Sequence, residues 1–370
     1  MTIRSLCIGS AMADIIVLVA DRDVERMTMH NATSSFLLLE QGRKIESESI
    51  SQHVGGGAVN AAVAMARLGL EAAVLVKIGR DQNGDRIIDR LAVEGVDDRF
   101  VLRAQELPTG TAVMVSSHDR NATIFTQRGT NTLLRPAEIR PEMFAGRDLV
   151  YITNLSNRSA DCFPLLAAEG RKAGAFVAVN PGIRQLTSRA SAFMDSLQHV
   201  DLLAINRVEA EALVPAVSAL GEGDPVPERW GGAAPRLLRM GLSFGGFDMG
   251  LADFMARLRR RGVTRALVTD GVEGAYLADA AGLHFCPALR AEVVGTAGAG
   301  DAFIATLAAC LAQGRPAAGA LHAATVNAAA VVSKLDTQGG LLDAAALEEG
   351  LQRHARDLPV ARFDLPVAGG

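Results

Sequence analysis

Short apolar runs alternate with helix-length stretches along most of this chain, and that alternation restricts the fold more than any other feature. "AAVLVKIG" (72–79), "DLVYITN" (148–154), "AFVAVNPG" (175–182), "DLLAINR" (201–207) and "RALVTDG" (265–271) each read as a buried strand. Between them lie "GAVNAAVAMARLG" (57–69), "NGDRIIDRLAVEGV" (83–96), "CFPLLAAEGRKAG" (162–174), "VEAEALV" (208–214) and "DFMARLRRRG" (253–262), all with helical spacing of apolar residues. Strands that alternate with helices imply a mostly parallel sheet with helices on both faces, a doubly wound α/β arrangement. The first strand is "RSLCIGSA", broken at Gly9, and "AYLADAAGLHFCP" (275–287) reads as a hairpin. The helix that begins near Asp301 and another over 317–335 close the core.

Some segments do not fit the alternation. Residues 35–54 are partly alternating, with Gly42 as a turn, and "GTAVMVSSHDRNATIFTQRG" (110–129) reads as two strands about a turn at His118–Asn121. These regions are expected to pair as a small sheet apart from the main core. Residues 215–250 are rich in Gly and Pro and carry the only Trp, which suggests an insertion, a lid or a contact surface. The final residues, "RFDLPVAGG", read as a frayed tail.

Composition removes several function classes. With 370 residues, 49% of them hydrophobic, the chain can bury a large core. A net charge of −4 speaks against nucleic acid as a partner, and "RLRRRG" (257–262) reads as a solvated helix end. No apolar run reaches the roughly 18 residues needed to cross a membrane. Asp14 interrupts the apolar N-terminus where a signal peptide would continue. Cys7, Cys162, Cys286 and Cys310 form no CxxC pair and lie beside no His at zinc spacing, so a reducing cytoplasm is expected. There is no GxxxxGK[ST] phosphate loop and no GxGxxG after a strand.

The segment "GTAGAGD" (295–301) carries the chemistry. Glycines let backbone N–H groups converge, and at a helix N-terminus those groups and the helix dipole make an anion site that suits phosphate. A carboxylate beside bound phosphate is repelled unless it has a task, such as accepting the proton of a hydroxyl that attacks phosphorus. The plain alternative is that Asp301 only caps the helix.

"GTAGAGDAF" resembles the C-terminal signature of the ribokinase/PfkB family of sugar and nucleoside kinases, and "VGGGAVNAAVAMARLG" (54–69) resembles its N-terminal glycine signature. The order and separation match, and "KIGRDQNGD" (77–85), "NPGIR" (180–184), "NRVEAEAL" (206–213) and "VTDGVEGAYL" (268–277) match between them. The likeness spans roughly residues 5 to 335. It implies one ribokinase-like domain over residues 1–360: a doubly wound sheet with a small β lid from about 15–54 and 109–128. An insertion at about 215–250 and a tail at 361–370 complete the expected organisation.

The resemblance also implies roles. Asp301 matches the general base, and the backbone of Ala297, Gly298, Ala299 and Gly300 matches an anion hole for the transferring phosphate. Asn206 and Glu209 match an NxxE motif in which Glu209 orders Mg²⁺ through water. Thr269, Gly271, Gly274 and Thr296 match the nucleotide site for ATP, with Asn327 near the adenine. Asp14, Gly55, Gly56 and Asn60 match the acceptor side, with Asn154 as a further acceptor residue and Arg184 near either the phosphates or an acidic acceptor. Gly295 stands where the family usually has Asp, which leaves a potassium ion in doubt. A homodimer through the lid is implied as well. The acceptor is a sugar or a nucleoside; aromatic residues make up only 4% of the chain, which favours a sugar, although Phe36 and Phe125 of the lid offer stacking surfaces. The alternative from another class is a non-catalytic sugar or nucleotide sensor.

Overall fold

The computed structural model describes residues 2–20, 25–28, 35–38, 41–42, 44–116, 122–219, 230–231 and 234–365. The main sheet has ten strands, in the spatial order Ala361–Phe363, Gly282–Cys286, Ala275–Asp279, Arg265–Thr269, Leu202–Asn206, Phe176–Asn180, Leu149–Thr153, Arg4–Gly9, Glu71–Gly79 and Leu102–Ala104. From Arg265–Thr269 to Leu102–Ala104 every pairing is parallel, and the three strands at the other edge are antiparallel.

The inner strands are apolar on both faces because both faces are covered. Leu149–Thr153 is buried at all five residues. On one face Cys7, Val74, Tyr151 and Ala178 pack with helices Gly57–Arg67, Ala299–Ala312 and Ala317–Val331. On the other, Leu6, Val150, Val177 and Leu203 pack with helices Phe163–Lys172, Arg207–Ser218 and Leu251–Arg260. Helix Ala299–Ala312 is buried from Ala302 through Leu311, which is why it is apolar on all sides.

The expected second sheet exists. It has four strands, in the order Ser47–Gly55, Met12–Val19, Gly110–Ser116 and Ala122–Gln127, with all pairings antiparallel except Met12–Val19 with Gly110–Ser116. The turn at His118–Asn121 lies outside the described residues. Glu25–Thr28 and Ser35–Leu38 form a separate antiparallel pair.

Two expectations are corrected. The Gly/Pro-rich stretch is regular in part: the preceding helix runs on through Pro215 to Ser218, and a short helix Arg236–Met240 leads into a hairpin of Leu242–Phe244 with Phe247–Met249. Leu237, Leu238 and Leu242 are buried in the main core, and that burial orders the segment. The tail does not fray at once, because Ala361–Phe363 pairs with Gly282–Cys286 and the Phe363 ring meets Trp230 edge-on at 5.4 Å.

The parallel strands end on one side of the sheet, where α/β proteins of this kind bind ligands. Asn206 and Thr269 close their strands, Asn154 follows Thr153, and Arg184 follows the Phe176–Asn180 strand.

Candidate active site

The turn before helix Ala299–Ala312 is shaped by Gly298, whose φ is 82° and which forms the N-cap without any side-chain hydrogen bond. A Cβ there would lie 2.7 Å from Thr337 Cα, so only glycine fits. The backbone N–H of Ala302 donates to Gly298 O at 2.9 Å, the first bond back into the helix. The N–H groups of Ala299, Gly300 and Asp301 therefore point out of its N-terminal end, as an anion site requires. Asp301 is the third residue of the helix. The N-cap is Gly298, and Asp301 lies in the first turn, where the helix dipole also favours a carboxylate.

The Asp301 carboxylate is held from the side. Asn60 donates Nδ2–H to Asp301 Oδ2 at 2.8 Å. Burial pushes the Asp301 pKa up, and the bond from Asn60 opposes that. Asp14 is 7% exposed, and its pKa is pushed up to about 6, mainly by burial and then by the charge of Asp301. The glycine signature makes this crowding possible. A Cβ on Gly55 would sit 2.0 Å from Asp14 Oδ2, and one on Gly56 2.6 Å from Ser10 O. Asp14, Gly55, Gly56, Asn60 and Asp301 thus form one cluster.

Two cavities flank this cluster. One, of about 350 Å³, is mostly apolar and is lined by Thr269, Gly271, Gly274, Thr296, Ala299, Gly300 and Phe303, among others. It gathers most of the residues expected around a nucleotide. The other, of about 590 Å³, is of mixed polarity and lies between the small sheet and helix Gln82–Val93; Asp14, His53, Arg86, Arg90 and Gln338 are among its lining residues.

Asn327 does not join the first cavity. It is fully buried, donates Nδ2–H to Thr306 Oγ1 at 2.8 Å and accepts from Leu342 N at 2.9 Å. Its neighbours Thr325, Ala328, Ala329 and Val332 line the cavity instead.

Asn206 and Glu209 form a reciprocal cap on helix Arg207–Ser218. Glu209 N donates to Asn206 Oδ1 and Asn206 N donates to Glu209 Oε2, each at 2.9 Å. Burial raises the Glu209 pKa to about 7, opposed by the hydrogen bonds that the backbone and side chain of Asn206 give its carboxylate. Among the described residues no three His, Cys, Asp or Glu side chains converge on one point.

Asn154 stands beside the cluster. Ser10 bridges the two groups: its Oγ accepts from Gly57 N at 3.0 Å and donates to Asn154 Oδ1 at 3.5 Å. Arg184 raises the local positive potential at Arg128, whose pKa is lowered by burial and by that charge. Arg128 donates to Ser156 Oγ at 2.8 Å. Sequence reasoning did not single out Arg128, Thr337 or Gln338.

The profile of the pfkB family carbohydrate kinases matches residues 4–224 and 241–344, and the chain belongs to that family of kinases. It is 26% identical over 291 residues to a 2-dehydro-3-deoxygluconokinase of Bacillus subtilis, a match that covers 76% of this chain and 81% of that protein. The fold is similar to that of Arabidopsis thaliana ribokinase complexed with ribose and ATP, with TM-score 0.69, 21% identity, and coverage of 95% of this chain and 99% of that one. It is also similar to that of the Methanocaldococcus jannaschii nucleoside kinase, with TM-score 0.70, 19% identity, and coverage of 95% and 98%.

Proposed function

We propose that this kinase moves the γ-phosphate of ATP to an alcohol group of a sugar or sugar derivative, with Asp301 as general base. The observation that carries the reading is the position of Asp301. Its carboxylate is fixed by Asn60 in the first turn of a helix whose free N–H groups open beside an apolar cavity. Adenine suits that cavity, with Thr269, Gly271, Gly274 and Thr296 about it. The backbone of Ala297, Gly298, Ala299 and Gly300 holds the transferring phosphoryl group, an electrostatic contribution that is typically the largest in such chemistry. Asp301 accepts the hydroxyl proton as the new oxygen–phosphorus bond forms.

Glu209 suits Mg²⁺ held through water. One of its oxygens is engaged by Asn206, and its raised pKa marks a carboxylate short of stabilising partners, which a cation would supply. Bound there, Mg²⁺ neutralises charge on the phosphates. Gly295 offers no side chain to a potassium ion, so no step depends on one.

Asp14 and Asn60 orient the acceptor, and the small sheet acts as a lid that excludes water. Arg128 and Arg184 have no acidic partner among the described residues, and like charges gathered this way favour an anion. One relative is a 2-dehydro-3-deoxygluconokinase, and a gluconate derivative carries a carboxylate. A sugar acid is therefore the acceptor class best supported. A nucleoside is the second reading, favoured by Phe125, which is 58% exposed on the small sheet; the side chain of Phe36 lies outside the description. Ile50, Ile124 and Phe125 expose apolar surface on that sheet and suit a homodimer through the lid. Four free, buried cysteines suit a cytoplasmic enzyme.

The test is ADP release with Mg·ATP against neutral sugars, sugar acids and nucleosides. Turnover confined to sugar acids is expected. Turnover with a neutral sugar or a nucleoside in preference removes the role given to the arginine pair. ATP binding without turnover on any acceptor favours the sensor.

A further inference from the structure

Behind Asp301 runs a chain of buried amides. Arg90 donates Nε–H to Gln338 Oε1 at 2.9 Å. Gln338 donates Nε2–H to Asn60 Oδ1 at 3.0 Å, and Thr337 Oγ1 donates to the same oxygen at 3.1 Å. Asn60 then donates to Asp301 Oδ2. We infer that Gln338 is a positioning residue for the base. With Arg90 it fixes which way the Asn60 amide faces, and so presents an N–H to Asp301 Oδ2 and leaves Oδ1 to the acceptor hydroxyl. The inference rests on the reading of Asp301 as general base.

The polarity of the chain follows from chemistry. An arginine N–H can only donate, so the Gln338 atom that meets Arg90 must be its oxygen. The Gln338 NH₂ then faces Asn60, the Asn60 oxygen must accept it, and the Asn60 NH₂ is left facing Asp301. Turning either amide over would set donor against donor or acceptor against acceptor. Gln338 is 2% exposed and Asn60 4%, so water does not relieve such a mismatch. The backbone of Gln338 is also pinned. Its carbonyl accepts from Arg67 Nη1 and its N–H donates to Asp336 Oδ1, each at 2.9 Å. The titratable groups that face Asp301 are Asp14 from the small sheet and Tyr151 from the central strand, and Tyr151 also feels Glu209. Gln338→Met alters none of them, whereas Gln338→Glu adds a further carboxylate to the set.

The test is Gln338→Glu, which keeps the shape and changes one NH₂ to an oxygen. That oxygen draws the Asn60 N–H groups towards itself and turns the Asn60 oxygen onto Asp301. The expected result is a fall in kcat of roughly tenfold to a hundredfold with KM for ATP unchanged. The acid limb of the kcat–pH profile moves to higher pH, because the Asp301 carboxylate loses its donor and gains a like charge nearby; the uncharged Gln338→Met separates the two causes. Gln338→Met, which removes the polarity without reversing it, moves the limb the same way by less, and the unfolding midpoint of each variant is read alongside. Parent kcat and an unmoved acid limb in Gln338→Glu overturn the inference. Should that variant fail to fold, an unmoved limb in Gln338→Met overturns it. Asp301→Asn run in parallel separates the two ideas: parent activity there defeats the reading of the base, whereas a dead Asp301→Asn beside normal Gln338 variants defeats only the positioning role.

Discussion

Replacing Asp301 by Asn tests the base without removing its surroundings. Asn has nearly the volume of Asp, and with its carbonyl turned to Asn60 it keeps the hydrogen bond now 2.8 Å long. What it loses is the capacity to take a proton. Such a loss is typically worth 10²–10⁴ in rate, or about 3–5 kcal/mol of barrier. ATP binding is expected to survive, because the anion site consists of backbone. The same substitution removes a charge that helps raise the Asp14 pKa to about 6. Burial raises the Asp301 pKa, so its ionisation opposes folding. A group raised in this way contributes its full share of stability below its unfolded pKa and loses it as pH rises through the folded one. Asp301→Asn should therefore unfold at a higher temperature than the parent at pH 8, with the difference vanishing at acid pH. Asp14 should titrate lower in the variant. The assays are single-turnover phosphoryl transfer, ATP binding by calorimetry, and thermal unfolding at several pH values. A rate within a few-fold of the parent would refute the role of base. An inactive variant that also unfolds early or fails to bind ATP would refute the claim that only proton transfer was removed.

The remaining predictions concern neighbours. Asp14→Asn should stabilise the protein at pH 8 by up to about 3 kcal/mol, which is the gap between the ordinary 3.8 and about 6 converted to energy. That gain should disappear below about pH 4, and the KM for the acceptor should rise; pH-dependent denaturation and kinetics check both. Glu209→Gln keeps the reciprocal cap but removes the charge. It should raise the Mg²⁺ concentration for half-maximal rate roughly tenfold and, because ionisation of a carboxyl raised to about 7 opposes folding, raise the unfolding midpoint at pH 8 with the gain lost at acid pH; Glu209→Ala should forfeit about 1 kcal/mol of that gain with the cap. In the parent, Mg²⁺ demand should rise as pH falls through about 7, where Glu209 takes up a proton. Gly298→Ala forces a Cβ to 2.7 Å from Thr337 Cα at a φ of 82°, and should cost about 1–3 kcal/mol of stability together with activity; urea unfolding and ADP release check it.

Much of the fold was legible because buried parallel strands and their crossover helices leave distinct patterns. "LVYIT" (149–153) within "DLVYITN" is buried throughout because helices cover both of its faces. The short edge strand Ala361–Phe363 leaves no such pattern, since it is mostly exposed and its register is set by Gly282–Cys286 across the sheet. The segment 236–249 carries Gly and Pro like a loop, yet Leu237, Leu238 and Leu242 tie it to the core. Asn327 shows a different limit. The cavity is lined at positions 325, 328, 329 and 332, one stripe of the helix Ala317–Val331 and its cap. Asn327 lies off that stripe and faces Thr306 on the adjacent helix. A motif names a helix, and only packing says which of its faces meets the ligand.

The cluster of Asp14, Asn60 and Asp301 was legible for a related reason. Gly55, Gly56 and Gly298 occupy places where a Cβ would strike Asp14, Ser10 or Thr337, so close approach is recorded in the residue type itself. Hydrogen-bond polarity leaves no such record. Asn60 and Gln338 are 278 positions apart, and an amide reads the same in sequence whichever way it is turned. Its direction is set from both ends: the guanidinium of Arg90 can only donate and the ionised carboxylate of Asp301 can only accept. Gln338 and Asn60 link those ends, and Gln338 carries no signal until the three segments are brought together.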